Sequence, residues 1–184
     1  MELKEALEQR RSIRKFSNRK VDKEVIQDII YYGTLAPSAK NKQPWYFVVV
    51  NDEIRNKIAD CMIDYDKLTS DNSDVYGFKS SVLATAKVIK QSPTLILILR
   101  QKDHNWIVGD NLSIGACIEN MSLRAVDLGL GSLWIRDTVY VDDKIIELLG
   151  EKDKELNSAF VIGYQKEYPN PRKRKELSRI LKWY

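Results

Sequence analysis

Pro37-Ser38-Ala39-Lys40-Asn41-Lys42-Gln43-Pro44-Trp45-Tyr46-Phe47-Val48-Val49-Val50 is the stretch from which the fold is read. Pro37 disfavours helical geometry at the residue before it, so a preceding helix must stop near Gly33 or Ala36. Pro, Ser and Asn are turn formers, and they make Pro37–Pro44 a loop. Trp45–Val50 is aromatic and β-branched, which suits a strand. Within about fifteen residues the chain therefore passes from helix through a polar loop into a strand, and the remainder repeats that alternation.

Upstream, Glu2–Arg10 places Leu3, Ala6 and Leu7 on one helical face. Asp22 is an N-cap candidate for a helix whose buried stripe is Val25, Ile26, Ile29 and Ile30. Downstream, a helix is expected from Asp52 to about Met62, a polar and aromatic loop or lid over residues 64–80, and a helix over Val82–Val88. Pro93 introduces a buried strand, Leu95–Leu99. A long helix from about Trp106 to Leu128 carries apolar residues on more than one face, as a core or dimer helix does. It ends at Gly129-Leu130-Gly131-Ser132. A short strand at Leu133–Ile135, a helix at Val141–Leu149 closed by Gly150, a strand at Ser158–Gly163 and a basic tail, Pro169–Tyr184, complete the chain. With no repeat or inter-domain linker visible, residues 1–184 read as one α/β-type layered domain.

Composition narrows the function classes. The 184 residues are 43% hydrophobic and 30% charged, a globular balance. Lys and Arg number 30 against 26 Asp and Glu, and a surplus of +4 is too small to argue for nucleic acid. Cys61, Cys117 and the single His104 offer neither a disulfide framework nor a zinc site. The start has no apolar signal core and Leu95–Leu99 is far short of a membrane span, so a cytoplasmic protein without membrane contact is expected. No GxSxG elbow accompanies Ser12, Ser38 or Ser132, which leaves nucleophilic catalysis without support. Glu119 is a candidate base, although a lone helical Glu is usually structural.

Four features bear on ligand binding. Arg10, Arg11, Ser12 and Arg14 offer converging charge-assisted donors of the kind a phosphate dianion needs. Arg172-Lys173-Arg174-Lys175 is a second basic run. Each alone reads as a solvated face; together, if the chain ends meet, they make a phosphate pocket. Ser38, Asn41 and Gln43 can hydrogen-bond a heterocycle or a polyol chain, or simply build a turn. Gly129 and Gly131 lack the GxGxxG spacing of a dinucleotide fingerprint and permit either a close backbone approach or a helix cap with a tight turn.

In order along the chain, these segments resemble the FMN-dependent nitroreductase family. Arg11-Ser12-Ile13-Arg14-Lys15-Phe16 is similar to its RRSxRxF opening, and Pro37–Trp45 to its PSAxNxQPW segment. Asp110, Glu119 and Asn120 lie in a helix resembling its Asp…Ala…Glu-Asn stretch. Gly129–Ile135 resembles GLGSxWI, and Gly163-Tyr164 with Pro169–Lys175 resembles its C-terminal pattern. Where the family often has Pro after Gly-Tyr, this chain has Gln165.

The resemblance implies a mixed, mainly antiparallel sheet flanked by helices (an α+β variant of the α/β class) and an intertwined homodimer. It implies FMN as cofactor and NAD(P)H as reductant, with ping-pong hydride transfer through flavin N5 to a nitroaromatic, quinone or related small-molecule acceptor. Reductive dehalogenation, enone reduction and flavin breakdown are the alternatives. Arg10, Ser12 and Arg14, with Arg11 nearby, would contact the phosphate and ribityl chain, and Arg172 and Arg174 would reach the phosphate from the tail. Pro37, Ser38, Ala39, Asn41 and Gln43 would line the flavin at the dimer interface, partly from the partner subunit. Gly131, Trp134, Ile135 and Arg136 would run beside the ring. Residues 62–92 would hold the lid, with Tyr65, Tyr76 and Phe78 as aromatic candidates, and residues 165–184 a C-terminal arm. No dedicated catalytic side chain and no metal are expected, since the flavin carries the chemistry.

Overall fold

The computed structural model describes residues 1–69 and 79–184. Its centre is a four-stranded sheet in the order β1-β2-β4-β3, with β1 at Tyr46–Val50, β2 at Thr94–Gln101, β3 at Gly131–Ile135 and β4 at Lys154–Gly163. Every neighbouring pair of strands is antiparallel. The expected mixed character thus reduces, among the described residues, to one parallel bridge between Ser12 and Ser132. Each strand is joined to the next through helices, which frees consecutive strands to pair antiparallel without tight hairpins.

The centre of the sheet is β2, where Leu95, Ile96, Leu97, Ile98 and Leu99 are all fully buried. Successive side chains alternate between faces. Leu95, Leu97 and Leu99 meet α3 (Asp52–Thr69), α4 (Lys79–Gln91) and α6 (Asp142–Leu149). Ile96 and Ile98 meet α2 (Lys23–Thr34) and α5 (Ile107–Asp127) on the other face. A strand sandwiched this way needs no polar face, which is why it reads as an unbroken apolar run. Each such side chain contributes about 1.5–3 kcal/mol by leaving water.

Several elements differ from expectation. The third helix continues past Met62 to Thr69, so Tyr65 is helical and stacks on Tyr140 with ring centroids 5.5 Å apart. Polar residues had suggested a loop there, but a helix with one solvated face tolerates them. Within the region expected to be a lid, residues 79–91 are also helical. Tyr76 and Phe78 lie outside the described residues. In α1 (Leu3–Gln9) only Ala6 is buried, while Leu3 and Leu7 are exposed, because the short helix touches the body along a single line. Asp22 occupies the N-cap position of α2 without a side-chain capping bond. Strand β4 starts at Lys154, four residues earlier than its apolar core suggested, since its charged beginning pairs with the polar end of β2.

Candidate functional site

The two ends of the chain meet. Phe16 bridges Gln165, and the pairing is extended by Ser17 N donating to Tyr164 O at 2.7 Å and Lys166 N donating to Lys15 O at 2.9 Å. On the inner side Ser12 bridges Ser132 of β3, and Ile13 N donates to Ser132 O at 2.9 Å. Arg14 N donates to Glu167 Oε1 at 2.7 Å. The segment after α1 is thereby clamped between edge strand β3 and the start of the tail. Gln165, where the family often has Pro, takes part in that clamp. Gly131 packs just behind it: a Cβ there would stand 2.8 Å from both Ile13 Cγ1 and Gln165 Oε1. Close approach to its own chain thus accounts for a glycine at position 131. Gly129, with φ of +73°, closes α5 in the left-handed conformation that favours glycine.

Among the clefts around this clamp, three share walls along β3 and the chain ends. The largest, about 630 Å³, is lined by Arg10, Arg11, Ser12 and Arg14 on one side and by Arg172 and Arg174 on the other. The second, about 290 Å³, again has Arg10 and Ser12, now with Glu119, Ser122, Ser132, Trp134 and Arg136. The third, about 360 Å³, runs along β3 past Trp134, Ile135 and Arg136 to Thr85 and Asp137, with Arg14 at its mouth. Trp134 is half exposed on the edge strand, whereas Ile135 is buried. The result is a continuous track with a strongly cationic end and an aromatic side wall.

The cations are not equivalent. Arg10 Nε stands 3.4 Å from Glu119 Oε1. Arg11 turns back and donates from Nη1 to the carbonyls of Glu8 and Arg10 at 2.7 and 2.8 Å, so it caps α1 at least as much as it faces the cleft. Its Nε is buried without a partner. Arg14 Nη1 donates to Ser12 O at 3.2 Å. Among the described residues no carboxylate lies within ion-pair distance of the Arg14, Arg172 or Arg174 side chains. Arg136 Nη1 donates to Tyr140 OH at 3.4 Å.

The loop with Pro37, Ser38, Ala39, Asn41 and Gln43 stands elsewhere on the same subunit. None of these residues lines the three clefts. The loop is fastened to the beginning of α5, where Lys42 Nζ donates to Asp110 at 2.9 and 3.1 Å. Asp110 and Glu119 are separated by about 13 Å along the helix at about 1.5 Å per residue. Lys40, Asn41 and Gln43 all have φ near +50°. Left-handed backbone at non-glycine residues costs on the order of 1 kcal/mol or more each, and such strain persists only where surrounding bonds enforce it.

Cys117 and His104 line none of the three clefts. Burial pushes the Cys117 thiol up to about 12, so it stays protonated and unreactive at neutral pH. His104 is exposed in a single 3-10 turn. No cluster of three or more metal-binding side chains occurs among the described residues.

The sequence profile of the Nitroreductase family matches residues 7–164. The chain belongs to the Nitroreductase family. A nitroreductase relative from Archaeoglobus fulgidus, provisionally named an NADH dehydrogenase/NAD(P)H nitroreductase, is 32% identical over 164 residues, covering 86% of this chain and 82% of the relative. A BluB-like flavoprotein of Clostridium difficile superposes with a TM-score of 0.82 at 25% identity, covering 100% of this chain and 99% of that one. The iodotyrosine deiodinase of Haliscomenobacter hydrossis is 49% identical over 53 residues, 28% of this chain and 24% of the relative.

Set in this nitroreductase fold, Arg10, Arg11, Ser12, Arg14, Arg172 and Arg174 come together, joined through Arg10 and Ser12 to Trp134 and Arg136. The loop at 37–43 and Tyr65 do not join them within one subunit. Two contributors, Asp137 and Glu167, went unread in the sequence, and Ser132 was weighed there only as a nucleophile and as part of a motif. Ser132 pairs with Ser12, Asp137 accepts from Thr85 Oγ1 at 2.9 Å, and Glu167 holds Arg14. Only the pairing of distant segments reveals them. Glu119 did stand out, and its contact with Arg10 supports an electrostatic role.

Proposed function

We propose that this protein is an FMN-dependent NAD(P)H oxidoreductase acting on small electron acceptors. The carrying observation is the large cleft, where five guanidinium groups and Ser12 from opposite ends of the chain surround one space. A phosphate dianion matches that surplus of donors, and arginine forks bind phosphate oxygens in pairs. From the cleft the track leads past Ser12 and Ser132 to Trp134 and Arg136, which suits a polyol chain followed by a flat ring. The family assignment and the flavoprotein with the same fold support the reading.

FMN held there would supply the redox chemistry that links NAD(P)H to the acceptor in a ping-pong scheme. The chain's own part is placement. Arg14, Arg172 and Arg174 would hold the phosphate, and Arg10 would share its charge between that group and Glu119. Trp134 and the β3 backbone at Ile135 would wall the ring, and Arg136 would stand where the cleft opens to an acceptor. A second subunit would bring the Ser38–Gln43 loop to the far side of the ring. Ile107, Val108 and Leu112, exposed on α5, and Leu177, Ile180, Leu181 and Trp183, exposed in the tail, are the apolar surface a homodimer would cover.

Purified protein should be yellow and should bleach anaerobically on addition of NADH or NADPH. A colourless protein that FMN cannot reconstitute overturns the proposal. The deiodinase similarity favours a second reading, reductive dehalogenation on the same cofactor. Nitroaromatics, quinones and halophenols offered to the reduced enzyme separate the two: reoxidation by halophenol alone, with halide release, selects the second.

A further inference from the structure

The loop at residues 37–43 is strained, exposed and yet tied into the centre of the molecule. Lys40, Asn41 and Gln43 are left-handed, whereas Lys42 between them has ordinary helical geometry and extends its ammonium group inward. There it meets Asp110, which is 2% exposed in the first turn of α5, and stands 3.6 Å from Asp103. Asp110 in turn lies 3.7 Å from the guanidinium of Arg100, also 2% exposed, which projects from β2 and pairs with Glu155 of β4. Arg100 Nη1 further donates to the carbonyls of Gln101 and Asp103. Lys40 and Lys42 both place their ammonium groups over the Trp106 ring, at 5.4 and 5.2 Å from its centre.

We propose that Lys42, Asp110 and Arg100 act as positioning residues, an ionic chain rooted in the sheet that holds the Ser38–Gln43 loop in the one conformation that presents its polar side chains to the flavin. This rests on the reading of that loop as flavin-lining. The loop's internal bonds show what is presented. Ser38 Oγ accepts from Gln43 N at 3.0 Å, and Asn41 Oδ1 accepts from Gln43 Nε2 at 3.3 Å. Those bonds use acceptors only. They leave the Ser38 hydroxyl hydrogen and the Asn41 amide NH2 as donors toward the carbonyl oxygens and ring nitrogens of a heterocycle. Without the Lys42 anchor, the left-handed residues would relax and the donors would lose their fixed direction. Such buried charge pairs add little net stability but tolerate only one geometry, which is what a positioning device requires.

The test compares the parent with Lys42→Met and Lys42→Arg. Amide hydrogen exchange is followed on the flavin-free proteins, and each is then titrated with FMN. Lys42→Met should speed exchange over residues 39–43 while β2 stays protected, and should raise the FMN dissociation constant about 10-fold, a change of about 1.4 kcal/mol. Lys42→Arg should restore both. If Lys42→Met leaves loop exchange unchanged, or frees the loop without weakening FMN, the inference is overturned. A parent protein that binds no FMN brings down the functional proposal instead, and the exchange comparison still decides whether Lys42 anchors the loop.

Discussion

Two polar regions with similar composition behave in opposite ways. Around Lys42 the cations are matched: Lys42 and Arg100 face Asp110, Asp103 and Glu155 at short range, with Arg100 and Asp110 buried and the others partly open to water. At the chain ends they are in surplus: five arginines share one cleft with Glu8, and among the described residues no carboxylate lies within ion-pair distance of the Arg14, Arg172 or Arg174 side chains. Matched charge holds the protein's own chain. Unmatched charge, gathered at some electrostatic cost from distant segments, is an arrangement that a bound anion would relieve. The contrast shows why counting charges says little: both regions come from a chain whose net charge is only +4.

The contrast can be broken most severely at Asp110. Replacing it by Ala takes the shared buried carboxylate from Lys42 and Arg100, which keep Asp103 and Glu155 as partners, and the protein should lose roughly 1–3 kcal/mol of stability, read as a lower midpoint in urea unfolding. An unchanged midpoint would show that the matched region does not depend on its pairing. In the surplus region the outcome should be reversed. Arg14→Ala or Arg174→Ala should leave the flavin-free protein within about 0.5 kcal/mol of the parent, while weakening FMN by about 1.5–3 kcal/mol, the worth of a hydrogen bond to a charged group. Isothermal titration supplies the second number and unfolding the first. Flavin retention equal to the parent's in both variants would remove the phosphate assignment.

Ionic strength offers a gentler probe. Screening acts over about 10 Å at 0.1 M salt and is much weaker for buried pairs. The FMN dissociation constant should therefore rise several-fold between low and high salt, while loop exchange around Lys42 stays put. The smallest effect is expected at Glu119. Because its carboxylate competes for Arg10, Glu119→Gln should tighten FMN by on the order of 0.5 kcal/mol, less than an exposed salt bridge's upper range. Weaker binding in that variant would mean that Glu119 orients Arg10 rather than competing for it.

Much of the architecture was legible from local pattern. The apolar run Leu95–Leu99, the break at Pro37 and the long apolar helix ending at Gly129 depend on periodicity and backbone sterics, which act over a few residues. Boundaries were less legible. The third helix outran its apolar stripe to reach Thr69, and β4 began at charged Lys154, because pairing with a neighbour extends an element beyond what its own residues prefer. The packing demand at Gly131 was hidden for the same reason: its need for a bare Cα comes from Ile13 and Gln165, residues remote from it in sequence.

By itself, the order of residues determined the layered α/β class, the central buried strand, and the family through its segments in order. Tertiary structure alone decided that Arg14 and Arg174 face a common cleft, that Arg11 turns aside to cap a helix, and that Lys42 is anchored to Asp110 rather than turned toward a ligand. Element type is set by forces that act between near neighbours. Whether a charge binds a ligand or its own chain depends on which carboxylates the fold carries to within a few ångströms, and sequence separation does not encode that distance.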